Sequence, residues 1–210
     1  VVSELVGLVL ATGDDTVLRG AAVLMAHIAP DLAVRELLDR FSVYNPWFHG
    51  SRQARNAGLA LRVMGVDGLT SLETIIAADG GHQKTEDAML ALAMLGDDAA
   101  IPTLAAYALN RTATTDARCA GAQGLALIGS PEALKACARV ARECDDTHVY
   151  SYAVKGLQLA FDPGYKSLYD PHPAPDWARA ITREEARQIV APLLAELFAD
   201  GELVDAAGVL

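Results

Sequence analysis

The sequence predicts an all-α fold, a right-handed α-solenoid of about five helix pairs with one further C-terminal helix. Three observations carry that prediction. Composition is the first: 52% of the residues are hydrophobic but only 6% are aromatic. Ala, Leu and Val therefore fill the core. Alternating runs of Val, Ile and Thr are scarce, so essentially no β-structure is expected.

A repeat is the second observation. With anchors at Ala29, Gly65, Gly96, Gly129 and Phe161, the spacings are 36, 31, 33 and 32 residues. One residue before each anchor stand Ile28, Met64, Leu95, Ile128 and Ala160; four before stand Met25, Leu61, Leu92, Leu125 and Leu157. Seven before come Ala22, Gly58, Met89, Ala122 and Val154. These offsets trace one stripe of a helix, the expected buried face. Eight before the anchor come Ala21, Ala57, Ala88, Gly121 and Ala153, all small, so a neighbouring helix can approach closely there. The third observation is punctuation. Pro30-Asp31, Asp67, Asp97-Asp98, Ser130-Pro131 and Asp162-Pro163 follow the anchors and are helix-start signals. A period near 32 residues with two helices per unit describes a solenoid, whose units bury their apolar faces only by stacking.

Taken in order, residues 2–11 read as a helix ended by Thr12-Gly13. Its Val2, Leu5, Val6, Val9 and Leu10 leave little polar surface for a terminal repeat. Helices at about 16–28 and 31–41 form the next pair. Tyr44-Asn45-Pro46-Trp47-Phe48-His49-Gly50 then interrupts the repeat and accounts for its longest spacing. Helices follow at about 51–64 and 67–78, and Asp79-Gly80-Gly81-His82 is a turn. The clearest repeats are expected at about 84–95, 98–110, 115–128 and 131–144, with Pro102 in the first turns of its helix. The helix at 147–161 precedes a second interruption, from Asp162-Pro163 through Trp177, whose prolines forbid a long helix. Thr182-Arg183-Glu184-Glu185 is a capping box that opens the last helix, to about Ala199, with Pro192 expected to kink it. The repeat units run roughly 2–28, 31–65, 67–95, 98–128 and 131–161. The extension at 162–210 completes what reads as one domain. The chain begins at Val1 rather than Met, as a trimmed chain or a piece of a longer one would.

Asp116-Ala117-Arg118 leads into an Ala/Gly/Leu helix, and Ile128-Gly129-Ser130-Pro131-Glu132-Ala133 follows it. This stretch resembles the HEAT-like repeat in its short bacterial, bilin-lyase-type form. In that form Asp-x-x-Arg opens one helix and Gly-Asp-Pro-Glu-Ala the next. Residues 85–145 fit well, 16–80 less closely and 146–161 only loosely. The resemblance speaks to fold, because HEAT-like arrays serve unrelated roles.

It implies that helices opening with an Arg line the concave face. Arg19, Arg52, Arg55, Glu86, Asp87, Asp116, Arg118, His148 and Lys155 then lie near the starts of those helices. They either reach a ligand or pair between neighbouring repeats as a ladder. Tyr44, Trp47, Phe48 and His49 form one lip of the groove or fold back to fill it. Tyr150, Tyr152 and Trp177 are the other aromatic candidates. Three HEAT-like enzyme families can be compared. The di-iron hydroxylases need repeated His-Glu pairs, and this chain has none. The alkylpurine DNA glycosylases combine Trp and Asp in a basic groove, whereas the net charge here is −10. Bilin lyases hold a tetrapyrrole through acidic and aromatic residues, which this sequence neither excludes nor singles out.

That charge disfavours nucleic acid and anionic membrane as partners, and it either suits a basic protein or peptide or simply keeps the chain soluble. No C-x-x-C pair joins Cys119, Cys137 and Cys144, as expected of reduced thiols in a cytoplasmic protein. No signal peptide is visible. The expected function is a non-catalytic scaffold that holds a protein or peptide partner, with no cofactor and no metal. The alternatives are a small-molecule-binding or lyase-type enzyme and a self-assembling module.

Overall fold

The computed structural model describes residues 1–41, 52–79, 83–161 and 180–199. All regular structure among these residues is helical. The helices are α1 (Val2–Ala11), α2 (Asp15–Ile28), α3 (Pro30–Arg40), α4 (Arg52–Met64), α5 (Leu69–Asp79) and α6 (Gln83–Leu95). After a 3-10 turn at Asp98–Ala100 come α7 (Ile101–Leu109), α8 (Thr115–Ile128), α9 (Pro131–Glu143), α10 (Thr147–Phe161) and α11 (Arg183–Ala199). The aromatic segment Tyr44–His49, the turn at 80–82, Trp177 and the tail beyond Ala199 lie outside the described residues.

Local chemistry explains the helix ends. Asp14 Oδ1 accepts from the backbone N–H groups of Thr16 and Val17, and Thr114 and Ser130 cap α8 and α9 through Ala117 and Ala133. Asp67 accepts from Leu69, so α5 begins two residues later than its acidic signal. Thr182 and Glu185 form a reciprocal capping box at the start of α11. Gly65, Gly96 and Gly129 all have positive φ, which closes three of the repeat turns at no Cβ cost. Ala29 stands in the same register but has φ −161°, and Pro30 opens α3 directly after it. One segment differs from expectation: residues 98–100 wind as a 3-10 turn, and the α-helix proper starts at Ile101 with Pro102 in its first turn.

The described helices fall into two compact units, α1–α6 and the 3-10 turn with α7–α11. In the first, α2 packs on α4 and α4 on α6 to make one layer. Helix α1 packs on α2, α3 and α4, and α5 packs on α6. In the second unit α8 packs on α10, while α7, α9 and α11 follow one another alongside. In the second unit each helix thus touches its sequence neighbour and the next helix but one, whereas in the first α1 also reaches α4 and α5 packs chiefly on α6.

The repeat offsets map onto this packing unevenly. All residues four, seven and eight before the anchors are buried, including Met25, Leu61, Leu92, Leu125 and Leu157. The offset of one does not hold: Ile28 is 53% exposed, and Leu95 and Ala160 are only partly covered. The small positions set the helix spacing. Gly58 lies against the Ala91 carbonyl and Met94 of α6, Gly121 against the Leu104 carbonyl of α7, and Gly156 against Ala126 of α8. In each case a Cβ would fall within 3 Å of the neighbour.

Cys137 sits inside the second unit, fully buried, with its Sγ 3.5 Å from the Ala122 carbonyl of α8 and 3.4 Å from the Ala153 carbonyl of α10. Burial pushes its thiol pKa up to about 12. Cys144, half-buried at the end of α9, is raised as well, again by burial first. A maleimide reagent at neutral pH should label Cys144 slowly and leave Cys137 intact until the protein is unfolded. Peptide mapping after timed labelling reads this, and equal rates at the two thiols would contradict the burial described.

Candidate functional site

Polar groups on α4 tie the first unit together. Arg55 is buried, and its two terminal nitrogens reach the two carboxylate oxygens of Asp15 at 2.9 and 3.3 Å. This fork-to-carboxylate geometry fixes α4 to the first turn of α2. Asn56, also buried, donates its amide to the carbonyls of Val9 and Thr12 at 2.8 and 2.9 Å. It thereby satisfies backbone oxygens at the C-terminus of α1 that helix geometry leaves without intrahelical partners. Arg52, three residues earlier, is exposed. Asp87 on α6 is completely buried.

A second cluster forms where α7, α8, α9 and α10 meet. Arg118 is buried; its Nε donates to the Ala108 carbonyl at the end of α7 at 3.2 Å. One terminal nitrogen meets Asp145 at 2.6 Å and the other lies 3.8 Å from Asp146. Arg111 meets the second oxygen of Asp145 at 3.0 Å. Asp146 is the cap of α10, accepting from the His148 and Val149 backbone and from the Thr115 hydroxyl. His148 itself is exposed, with Nδ1 3.7 Å from Asp146.

The Arg118 hydrogen bond holds the Asp145 carboxyl below the usual range. For Asp146, partial burial pushes upward, and the His148 and Val149 amides, Thr115 and Arg118 together outweigh it, so the net direction is also down. Folded pKa values below that of an ordinary aspartate mean that both carboxylates stabilise the fold above about pH 4 and lose that contribution as acid drives them through their folded pKa values. Thermal melts between pH 7 and about pH 2.5 should show a steep loss below pH 4. The Asp145→Asn/Asp146→Asn double variant should start lower at pH 7 and fall less steeply, and parallel slopes would refute the assignment.

Of the other sequence candidates, Tyr150 is 4% exposed, and its hydroxyl has no hydrogen-bond partner among the described residues. Burial, then the neighbouring Cys144 thiol, raises its pKa. Tyr152 and Lys155 are half-buried on α10. Tyr44, Trp47, Phe48, His49 and Trp177 lie outside the described residues. The structure thus brings Arg118, His148 and Tyr150 into the neighbourhood of one helix start and joins Arg55 to Asp15. Arg52, Arg55 and Asp87 lie in the other unit. Among the described residues, no group of three or more His, Cys, Asp and Glu side chains is placed to hold a metal ion. Likewise, no described helix is long and apolar enough to cross a membrane.

One surface was legible only in part in the sequence, which pointed to the apolar residues of α1; of those, Val2, Val6, Val9 and Leu10 are buried. Among the described residues, every exposed large hydrophobic side chain belongs to α1, α2 or the residue before α1: Val1, Leu8, Val17, Val23, Leu24 and Ile28. Single exposed apolar residues are ordinary, but their confinement to two consecutive helices and the residue before them sets that part of the unit apart. Its signal was the apolar arc of α2, which is wider than the face that Leu18, Ala21, Ala22 and Met25 bury.

Among the described residues the geometry defines an all-helical protein with helix–helix contacts between neighbours. No protein-family model matches the chain. A search of curated proteins finds no significant relative.

Proposed function

We propose that each unit is a stretch of HEAT-like α-solenoid and that the chain is a non-catalytic scaffold holding a protein or peptide partner. The neighbour-and-next-neighbour packing of the second unit supports the solenoid part, together with the positive-φ glycines at three repeat turns. The observation that carries the scaffold part is the confinement of exposed large apolar side chains to α1 and α2. Arg55 and Arg118 act in this reading as rungs that hold helices in register. Arg52 and His148 supply exposed polar contacts, and Lys155 and Tyr152 half-exposed ones.

A small-molecule reading draws on one observation, the buried Tyr150 hydroxyl without a protein partner, which a bound polar ligand would satisfy. Affinity co-purification from a source-cell lysate separates the two, with mass spectrometry of bound proteins and of extracted small molecules. The scaffold reading expects a stoichiometric protein whose recovery falls at least about tenfold with Leu24→Glu, the equivalent of roughly 1.4 kcal/mol. A bound small molecule with no protein would overturn it.

A further inference from the structure

Helix α2 carries a row that is nearly palindromic. Asp14, Val17, Gly20, Leu24 and His27 follow one another at spacings of three or four residues, and Ile28 extends the row. All six are exposed. The row lies on the flank of α2 beside its buried face of Leu18, Ala21, Ala22 and Met25. A Cβ built on Gly20 would meet nothing within 4 Å, so the middle of the row is an open notch.

We propose that this row is the contact by which two copies of the chain associate, α2 against α2 in antiparallel order. The inference rests on the scaffold reading and names its partner. Rotation by a two-fold axis near residues 20 and 21 sets Val17 of each copy against Leu24 of the other. Gly20 then lies at the crossing, where a missing side chain lets two helices approach most closely. The same operation sets acidic Asp14 at the N-terminal end against His27 at the C-terminal end. Asp14 uses Oδ1 for capping, which leaves its second oxygen for a partner. The His27 Nδ1–H donates to the Val23 carbonyl 2.8 Å away, so the outward Nε2 meets the partner's carboxylate as a donor in the doubly protonated ring. Opposed helix dipoles also favour the antiparallel order.

The ends of the row therefore complement each other and its apolar middle complements itself, as an isologous contact requires. A partner with an unrelated surface would need no such symmetry. One helix from each copy is a small interface, so the dissociation constant is expected on the order of micromolar.

Sedimentation equilibrium of the purified full chain, from about 1 to about 200 μM, tests this. The mass is expected to rise from 22.1 kDa toward twice that value. Leu24→Glu should shift the midpoint at least about tenfold to higher concentration, because it places a carboxylate in the apolar centre. Gly20→Leu should do the same by filling the notch, and Lys135→Glu, at an exposed position of α9, should leave the curve unchanged. Far-UV circular dichroism confirms that each variant is folded.

A chain that stays at 22.1 kDa throughout, or dimers that Leu24→Glu leaves intact, would overturn the inference. The scaffold reading then stands or falls separately. It stands if lysate capture still yields a different protein lost with Leu24→Glu, and falls if that capture also yields none.

Discussion

Gly58→Ala is expected to be the most damaging of the Gly→Ala changes at the helix contacts described above. The new Cβ would lie 2.7 Å from Met94 Cβ and closer still to the Ala91 carbonyl oxygen. Neither is the far end of a flexible side chain, so α4 and α6 must move apart along their whole contact. Overpacking of a tight core costs about 1–3 kcal/mol, and a backbone obstacle puts this case at or above the upper figure. In a chain of this size that corresponds to a fall in Tm of roughly 6–12 °C. Gly7→Ala is the matched control, since Gly7 is exposed on α1 and its Cβ would meet nothing within 4 Å. There the gain in helix propensity should raise stability by about 0.5–1 kcal/mol. Thermal melts of the two variants should move in opposite directions. A harmless Gly58→Ala would mean that α4 and α6 are not packed as described.

Arg118→Ala is the second large effect. Its guanidinium is buried and reaches a backbone carbonyl and two carboxylates, so truncation leaves the Ala108 oxygen and the Asp145 and Asp146 charges without it. Removing one member of a fully buried pair costs about 3–5 kcal/mol, but Asp145 is partly solvated and keeps Arg111. A loss of about 2–3 kcal/mol is therefore expected. Arg118→Lys should recover only part of it, because an ammonium cannot make the same divergent set of contacts. Denaturant melts measure the difference. If Arg118→Ala left stability unchanged while abolishing capture of a protein partner, the residue would be a binding group rather than a rung.

The helix boundaries were the most legible part of the fold, and the reason is their short range. A cap such as Ser130 with the Ala133 amide, or Thr182 with Glu185, joins groups three residues apart. The periodic apolar offsets were legible for a related reason. Met25, Leu61, Leu92, Leu125 and Leu157 point where helical geometry alone sends them, and all are buried. The candidate residues were less legible. Arg55 and Arg118 stood out as basic residues near helix starts, but nothing in their spacing chose between reaching a ligand and gripping another helix. Asn56 did not stand out at all, although it anchors the end of α1 from 44 to 47 residues away.

Taken alone, then, the sequence determined that this chain is helical, where most of its helices begin and end, and which stripe of each repeat faces inward. Those outcomes follow from interactions within one or two turns. Only the tertiary structure decided that Asp15, and not a ligand, receives Arg55, and that Gly58, Gly121 and Gly156 set how closely helices pack. It also decided that Ile28 is left exposed where the same offset in other repeats is wholly or partly covered. Coverage of a helix flank depends on which neighbour packs there. The periodicity of a single helix carries no term for that.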